Sequence, residues 1–596
     1  MNKALILHSV EDAQHCIENR LNQGNMLFST HSSVDVYLKE VHNVDCQCLS
    51  KFLTTEEIIN YGRISSDVVD RALRDLDSRI APSINKQFDL KMRYFTPLYS
   101  YLGKYHFSGY VCFVEAVKRI IDIYKLKRIS FYKCKFNGSL DVIANMEYFS
   151  SLFFNDLETE LLEYLQVNKS QNIRLREFAN IIKRNKQRPL YAIKKLIDII
   201  RKRIIRYSYE VFSSNKKTIL LYGGLYNLQF LKDELPKKYN VLYYGDNGKL
   251  PFGFKYGNFI ANVNLDFKDF EFAEEKKGPF IQIFLKDIKE DFLRNISQYL
   301  KAIQQLKTIN KKHSISLGIW GNPPVSGVKS LIFEYLRSED IRIIGGQHGC
   351  LYGELFNLWQ FDSDFNRCNY FLSYGFTQQD LNRLYPNIKL ETKILPFGKA
   401  EPIKNSGTKK NIDILFPITN SASILRDGMM RIFPHKLTER QIKLLEYLNS
   451  LKEPDIYIKL FAYSTYQNCS VLPILKRLKN LKVIADRTLT KFLEAYKPRV
   501  VIIEYPSQPL FDVLYLDSEI FLMNDDIHPY GSIALEELKK RVHYSEDINE
   551  IITKLDLFLK GKLKKKRDNT FYNHYVHKEN RKKNVLRFID LLVKYL

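Results

Sequence analysis

The sequence predicts an α/β protein in which two parallel-sheet domains face a cleft, and three observations support this prediction. Short β-branched runs alternate with amphipathic helical stretches along much of the 596-residue chain, which is the pattern of a parallel sheet. Glycine follows nearly every one of these runs, as a crevice lined by backbone requires. A polar, aperiodic stretch at residues 402–410 separates two such regions, as an interdomain linker would.

Composition and charge narrow the class of protein. A chain of this length is too long for one core, and its 45% hydrophobic content is that of a folded protein. The net charge of +24 favours an anionic partner, such as a nucleotide, a nucleic acid or an acidic membrane surface. The eight cysteines are scattered without metal-ligand spacing, and no apolar run has the length of a membrane span. We therefore expect a soluble or peripheral protein of the reducing cytoplasm, without a structural metal.

Residues 1–147 open as strand, helix, strand, helix, and we expect them to form the acceptor-side part of one enlarged N-terminal half. His31 and Asp35 lie where the second strand passes into a helix, which makes them candidates for catalysis. Capping of that helix by Ser32, Ser33 and Asp35 is the structural alternative. The strands are predicted at residues 4–9, 26–30 and 128–132.

A helical insertion is predicted at residues 148–215. Its second half, residues 174–206, is dense in lysine and arginine with isoleucine and leucine interleaved. A basic amphipathic helix of this kind binds anionic membranes or polyanions. A solvated helix with its apolar face on the sheet is the alternative.

Residues 216–401 resume the α/β pattern and contain the strongest functional signal. A strand at residues 341–344 ends in Gly345-Gly346-Gln347-His348-Gly349. His348 is a titratable group at the carboxyl end of a buried strand, where open α/β sheets bind their ligands. The alternative is a histidine satisfied within a turn, but the glycines on both sides favour function. Further strands are predicted at residues 218–222, 241–244, 315–320, 370–374 and 393–396.

Residues 411–560 form a second α/β unit of Rossmann type, followed by a basic helical tail at 561–596. Its strand at residues 500–503 leads through Pro506 and Ser507 into a helix that carries Asp512. Backbone N–H groups and a hydroxyl at a helix N-terminus bind phosphate, and a carboxylate deeper in the helix accepts the ribose hydroxyls. The pattern predicts a nucleotide-sugar site, with an ordinary capped helix as the alternative. The other strands are predicted at residues 412–417, 456–460, 483–485 and 520–523.

These two motifs together resemble the GT-B glycosyltransferases. Within that group the chain is most similar to bacterial surface-carbohydrate transferases of O-antigen and capsule assembly, such as the Kdo and other nonulosonate transferases, and more distantly to CDP-glycerol glycerophosphotransferases. The Gln-His-Gly element of that group corresponds to residues 347–349. Its D-x-x-S-T-T-x-x-E-like element corresponds to Ser507, Gln508, Pro509 and Asp512, where Gln508 and Pro509 replace small hydroxyl residues and aspartate replaces glutamate.

The resemblance implies sugar transfer from a nucleotide-activated donor, with CMP-nonulosonate or CMP-Kdo favoured, to a surface-polysaccharide or glycolipid acceptor. The transfer would be inverting and independent of metal, with no cofactor beyond the donor. His348 is the first candidate for base or phosphate partner, and His31 and Asp35 compete for the role of base. Lys459 stands where the group has a His-Pro element, and it would hold phosphate together with Ser507. The residues assigned to the donor are Ser507, Asp512, Lys459, Gly346, Gln347 and Gly349.

The resemblance also implies partners and argues against a metal. The implied partners are a nucleotide sugar and a glycan or lipid-linked glycan acceptor, and the charge of residues 174–206 favours a further contact with an anionic membrane surface, the inner face of the cytoplasmic membrane. The Asp362-Ser363-Asp364 triplet has the form of a metal-binding element, but we expect no metal there because GT-B enzymes usually need none. One rival is a nucleic-acid-binding protein, which the charge suggests but no recognition motif supports. Another is a GT-B-shaped nucleotide-sugar epimerase.

Overall fold

The computed structural model contains three parallel β-sheets, so the predicted α/β class is confirmed. Each sheet has helices packed against it, and the two sheets at residues 218–396 and 410–545 are the predicted Rossmann-type pair. The structure describes residues 2–132, 157–162, 216–244, 279–325, 327–356, 361, 363–400, 409–420, 433–461, 469–524 and 528–595. The predicted linker and the basic stretch at 174–206 lie outside these residues, apart from Lys409 and Lys410 at the end of the linker.

The expectation that residues 1–147 belong to one enlarged N-terminal half stays a prediction, and strands within residues 3–162 form a first sheet that is separate from the other two. Its strand order is β3-β2-β1-β4-β5. The fifth strand lies within the insertion that was expected to be helical, where it pairs in parallel with β4. The strands are β1 (Lys3–Leu7), β2 (Met26–Ser29), β3 (Gln47–Cys48), β4 (Arg128–Tyr132) and β5 (Glu158–Leu162), and the helices are α1 (Val10–Glu18), α2 (Ser32–His42), α3 (Thr55–Phe88) and α4 (Pro97–Tyr124).

Two long helices, α3 and α4, complete this domain and connect it to the second. The α3 helix begins at a capping box in which Thr54 and Glu57 satisfy each other's backbone N–H groups. It buries one apolar stripe that includes Val69, Leu76 and Ile80. Both helices contact a 35-residue helix of the second domain, so the first domain is anchored by helix packing.

The second sheet has the order β11-β10-β9-β8-β6-β7. The chain first adds β7 on one side of β6 and then continues from β8 on the other side. This change of direction creates a topological switch point between β6 and β8. The strands are β6 (Thr218–Tyr222), β7 (Asn240–Tyr244), β8 (Ile315–Trp320), β9 (Arg342–Gly346), β10 (Tyr370–Ser373) and β11 (Lys393–Pro396), and the helices are α5 (Leu231–Glu234), α6 (Pro279–His313), α7 (Gly327–Ser338) and α8 (Gln378–Leu384).

The third sheet has the doubly wound order β14-β13-β12-β15-β16-β17, with its switch point between β12 and β15. The strands are β12 (Lys410–Pro417), β13 (Ile456–Lys459), β14 (Lys482–Ile484), β15 (Tyr496–Ile503), β16 (Glu519–Met523) and β17 (His543–Ser545). The helices are α9 (Pro434–Ser450), α10 (Leu472–Leu475), α11 (Leu489–Ala495), α12 (Gln508–Val513), α13 (Ser532–Arg541) and α14 (Ile548–Leu559).

The carboxyl ends of the second and third sheets face each other. The thiol of Cys350, just after β9, lies 3.5 Å from the carbonyl oxygen of Pro506, just after β15. The Phe356 amide donates to the Pro529 carbonyl at 2.9 Å, next to an antiparallel bridge between Leu355 and Tyr530. The strand ends of the two domains thus form the two walls of the predicted cleft.

The C-terminal tail crosses back from the third domain to the second. It contains α15 (Thr570–Tyr575) and α16 (Arg581–Lys594). Val585, Ile589 and Val593 of α16 pack in one core cluster with residues of β6, β8 and β9. The buried Arg581 guanidinium donates to the Gly398 carbonyl at 2.8 Å. The tail is therefore a structural part of the second domain.

His574 joins the two domains through charge. Its imidazole nitrogens lie 3.4 Å from Asp380 of α8 and 3.1 Å from Glu537 of α13. The hydrogen bond with Asp380, aided by Glu537, raises the pKa of His574 above its usual 6.5, although burial opposes the rise. An imidazolium has the two N–H donors that these carboxylates require.

This bridge predicts a pH dependence of stability. Because the folded pKa is raised, the contribution of His574 is complete below pH 6.5 and is lost as the pH rises through the folded pKa. We expect the urea midpoint of the wild type to fall as the pH rises from 6.5 through the folded pKa of His574. The His574→Gln variant should lack this contribution to the fall. The control is His577→Gln, which changes a neighbouring histidine on the same tail. Equal pH profiles for the wild type and His574→Gln would contradict the prediction.

Candidate active site

His348 follows β9 at the cleft, and the glycines before it have a packing function. A Cβ on Gly345 would overlap the Trp320 ring, and one on Gly346 would lie 2.8 Å from Leu228 Cδ1. A Cβ on Gly349 would have no neighbouring heavy atom within 4 Å. Gly345 and Gly346 thus let the sheet close around large side chains, and the residues after them are held at a fixed position.

A buried tyrosine and aspartate orient the His348 ring. The Tyr352 hydroxyl lies 2.8 Å from His348 Nδ1 and donates to Asp364 Oδ1 at 3.0 Å. Asp364 is fully buried, and its Oδ1 is 3.5 Å from the same imidazole nitrogen. Since the single hydroxyl proton goes to Asp364, the hydroxyl oxygen accepts from Nδ1–H. This arrangement selects the tautomer whose Nε2 carries a lone pair.

The His348 ring remains partly accessible, whereas its supports are not. The side chain of His348 is 30% exposed, against 0% for Asp364. Burial, followed by the charge of Asp364, raises the pKa of Tyr352 well above its ordinary value, so the phenol stays protonated. A histidine whose Nδ1–H is fixed in this way, on a side chain that stays partly exposed, has the arrangement of a general base.

Gln347 has a structural role in the same turn. Its side-chain oxygen accepts from the Tyr374 amide at 2.6 Å, and its side-chain nitrogen donates to the Gly349 carbonyl at 2.7 Å. The backbone carbonyl of Gln347 accepts from Asn227 at 3.1 Å. The side-chain contacts use one donor and one acceptor of the amide to fix the His348 turn.

A cavity of about 420 Å³ lies beside His348 at the switch point of the second sheet. The ring of Tyr226, which lines it, has its centroid 6.2 Å from that of His348. Its lining residues are Tyr222, Gly224, Tyr226, Gln229, Asn322 and Lys329.

Ser507 and Asp512 lie on the opposite wall of the cleft, at the carboxyl end of β15. Ser507 is the N-cap of α12, but its side chain makes no capping hydrogen bond. The Asp512 Oδ1 atom accepts from Gln508 Nε2 at 2.9 Å and from Lys399 Nζ of the second domain. Lys399 follows β11 closely in the chain, and the sequence pattern did not single it out.

Lys459 is the last residue of β13 and is buried. Its Nζ donates to the carbonyl of Leu460, and burial lowers its pKa to about 8, against the opposing charge of Asp486. Its ammonium group is therefore directed to the backbone of its own strand end, not to a solvated surface.

A group of buried acceptors lies close to the third-sheet switch point. Glu504, directly after β15, accepts through Oε1 from the Thr419 amide and from Gln441 Nε2. Burial raises the pKa of Glu504 to about 7. Glu504 Oε2, Gln441 Oε1 and Asn524 Oδ1 are buried and have no hydrogen-bond partner among the described residues. The sequence offered no signal for this group beyond an acidic residue after a strand.

His31 and Asp35 lie elsewhere in the molecule. His31 caps α2 by accepting from the Ser33 amide at 3.0 Å, and the Ser29 hydroxyl donates to Asp35. The next residue, Ser32, contacts Thr438 and Ser470 of the third domain at 2.7 and 3.1 Å. The structure thus places this strand end in the contact between the first and third domains, whereas His348 belongs to the second.

The part of the chain that the structure describes offers no candidate metal centre. No cluster of three or more histidine, cysteine, aspartate or glutamate side chains there could hold a metal ion. Within the same residues, no helix combines the length and apolar character needed to cross a bilayer.

The two facing doubly wound sheets define a GT-B-like fold. A family model for the LIC12162 family transferases matches residues 116–526, more than half of the chain. The protein belongs to the LIC12162 family of transferases.

Several solved structures are distantly similar to the chain. The UDP-GlcNAc 2-epimerase of Methanocaldococcus jannaschii, in complex with UDP-GlcNAc and UDP, is 12% identical with a TM-score of 0.38, over 63% of this chain and 99% of its own. MurG of Acinetobacter baumannii is 10% identical with a TM-score of 0.34, over 63% and 99%. The spinosyn rhamnosyltransferase SpnG, complexed with spinosyn aglycone, is 11% identical with a TM-score of 0.31, over 62% and 99%. No curated protein matches the sequence.

Proposed function

We propose that the protein transfers a sugar from a nucleotide-activated donor to a hydroxyl group of a glycan acceptor, with His348 as the general base. The observation that supports this most directly is the Asp364–Tyr352–His348 arrangement at the cleft, which leaves Nε2 ready to accept a proton. The acceptor oxygen attacks the anomeric carbon, the bond from that carbon to the donor phosphate breaks, and the acceptor proton passes to His348 Nε2. The nucleotide leaves with the electron pair.

The positions of the candidate groups support inversion at the anomeric carbon. His348 belongs to the second-domain wall, whereas Ser507 and Asp512 belong to the third-domain wall. A base and a leaving phosphate on opposite sides of the sugar fit a single displacement. Lys399, next to Asp512, is a cation that would stabilise the developing phosphate charge without a metal ion.

The buried acceptors of the third domain favour a cytidine donor, such as a CMP-nonulosonate or CMP-Kdo. Gln441 Oε1, Glu504 Oε2 and Asn524 Oδ1 present acceptor atoms without partners among the described residues. An unpaired buried acceptor is costly, so a ligand that supplies N–H donors gains affinity there. Cytosine carries an amino group where uracil carries a carbonyl oxygen, and it would satisfy such acceptors.

Nucleotide binding tests the donor assignment. We expect calorimetry to show that CMP binds more tightly than UDP or GDP, and that Asp512→Ala weakens CMP about 10- to 100-fold, the effect of losing charged hydrogen bonds. Asp556→Ala, which removes a partly exposed aspartate from α14 of the same domain, is the matched control. Selective binding of UDP or GDP would change the donor and keep the enzyme class. If no nucleotide binds at millimolar concentration, the Ser507 and Asp512 assignment is wrong.

We also propose that the acceptor is a lipid-linked or surface glycan of the O-antigen or capsule type, used at the cytoplasmic face of the membrane. The basic stretch at residues 174–206 supports this proposal through its charge and its interleaved apolar residues. Salt-sensitive binding to anionic vesicles but not to random DNA is expected, and the reverse would favour the nucleic-acid alternative.

Isomerised sugar formed from donor alone would identify an epimerase.

A further inference from the structure

The C-terminal tail lies with its backbone directly on the carboxyl ends of β10 and β11. A Cβ on Gly375, after β10, would overlap the backbone carbonyl of His574. A Cβ on Gly398, after β11, would lie 2.8 Å from the Lys578 amide nitrogen. The two glycines thus leave the space in which residues 574–578 pack against the second-domain wall of the cleft.

Arg581, at the start of α16, joins two loops of this wall through one guanidinium. Its Nε donates to the Gly398 carbonyl at 2.8 Å, and a terminal nitrogen donates to the Asn227 carbonyl. The side chain is buried, and its central carbon lies 5.1 Å from the centroid of the Phe230 ring. A rigid planar fork holds two carbonyls from different segments at fixed positions, which a flexible ammonium does not.

The loop that Arg581 holds has a strained backbone. Tyr226 has a φ of +43°, a region that residues other than glycine enter rarely. The Leu228 amide donates to the Leu225 carbonyl at 2.6 Å and closes a tight turn around it. Such a conformation persists only where its surroundings hold it. Arg581 bonds the carbonyl of the residue that directly follows Tyr226, so its loss would let the loop relax.

Asn227 extends this constraint to the turn of the proposed base. Its side-chain nitrogen donates to the Gln347 carbonyl at 3.1 Å and to the Tyr374 hydroxyl, which uses both of its N–H groups. The Gln347 carbonyl belongs to the peptide bond that precedes His348. The hydrogen bond therefore fixes the backbone from which the imidazole projects.

The other acceptor of Arg581 bears on the cation of the cleft. The Gly398 carbonyl and the Lys399 amide belong to the same peptide group, and the amide donates to the Val576 carbonyl at 2.8 Å. The tail thus holds this peptide group at both its oxygen and its nitrogen. The Lys399 ammonium contacts Asp512 on the opposite wall, so the tail also sets the place from which this cation extends.

We propose that Arg581 is a positioning residue for the transfer reaction, which aligns His348 through Asn227 and Lys399 through Gly398. The inference rests on the proposed function for the chemical roles of His348 and Lys399. Arg581 acts through these two groups and not on the reacting atoms.

Steady-state kinetics tests this role with Arg581→Met. We expect kcat to fall about 10- to 100-fold, because a misplacement of about 1 Å at a reacting group costs up to about 100-fold. The KM for the donor should change little, because Ser507 and Asp512 belong to the third-domain wall. Arg541→Met is the matched control. Arg541 is equally a buried arginine that donates to backbone carbonyls, but it lies at the amino end of β16, away from the cleft. This control should lower the urea midpoint and keep kcat.

A double-mutant cycle separates positioning from a general loss of structure. The loss caused by Arg581→Met should be at least about 5-fold smaller in the His348→Gln background, a coupling of the size found within one network. Asn227→Ala removes only a half-buried side chain of the same network. It provides a milder variant if Arg581→Met does not fold, and it should lower kcat in the same direction.

NMR of protein labelled at its histidine side chains gives a readout that does not depend on activity. The His348 signal, assigned by its absence from His348→Gln, should shift in Arg581→Met and in Asn227→Ala but not in Arg541→Met. An unchanged signal, an unchanged kcat or additive effects in the cycle would each overturn the proposal. Failure of the proposed function appears separately, as full activity of His348→Gln. If the signal still shifts in that case, the alignment of His348 by Arg581 stands and another group is the base.

Discussion

Replacing His348 by glutamine is expected to lower the rate of sugar transfer at least 100-fold. General bases contribute about 10²- to 10⁴-fold to such reactions, and glutamine keeps a polar side chain of similar reach without a basic nitrogen. The measurement is the release of free nucleotide from the donor in single-turnover experiments with saturating enzyme. The urea midpoint of this variant should stay close to that of the wild type, because the His348 side chain is 30% exposed.

Two further variants test whether the loss of activity comes from the loss of the general base. His42→Gln, an exposed histidine of α2, is the control and should retain full activity. Asp364→Asn should reduce kcat with little change in the KM for the donor, because Asp364 acts through the imidazole and not on the nucleotide. A His348→Gln enzyme with more than one tenth of wild-type activity would exclude His348 as the base.

Replacing Gly321 by alanine is expected to destabilise the second domain by about 3 kcal/mol, the upper part of the range for overpacked cores. A Cβ at this position would overlap the backbone carbonyl of Leu225. That carbonyl belongs to the loop after β6 and already accepts a hydrogen bond from the Leu228 amide, so it is not free to move away. The result would be a lower urea midpoint, or accumulation of insoluble protein.

A second glycine in the same domain provides the comparison. A Cβ on Gly349 would meet nothing within 4 Å, so Gly349→Ala should leave the urea midpoint within the error of measurement. Equal midpoints for Gly321→Ala and the wild type would show that the β6 loop adapts.

Local sequence pattern predicted much of the fold, because each strand is a short apolar run with a defined end. The run before His348 became β9, and the strand before Ser507 became β15. Pattern did not reveal which strands share a sheet. Nothing local distinguishes β1 and β4, which belong to the separate first sheet, from the strands of the second sheet, because strand pairing depends on tertiary contacts.

The candidate site was predictable only in part, for a similar reason. His348 was found because it follows a strand and lies among glycines. Asp364 comes to it from beyond the next loop of the chain, and Lys399 reaches Asp512 across the two domains. Such contacts depend on tertiary structure and leave no periodic signal. The triplet that contains Asp364 was noted only for its resemblance to a metal-binding element, and its contact with His348 was not predicted.

The return of the C-terminal tail bears on how the chain is made. Synthesis proceeds from the N-terminus, and domains usually fold as they emerge. Here the core of the second domain contains Val585, Ile589 and Val593, which are translated after the whole third domain. The nascent second domain therefore has an apolar face of β6, β8 and β9 uncovered until the third domain has been translated. The domain that carries His348 is completed only when α16 emerges from the ribosome.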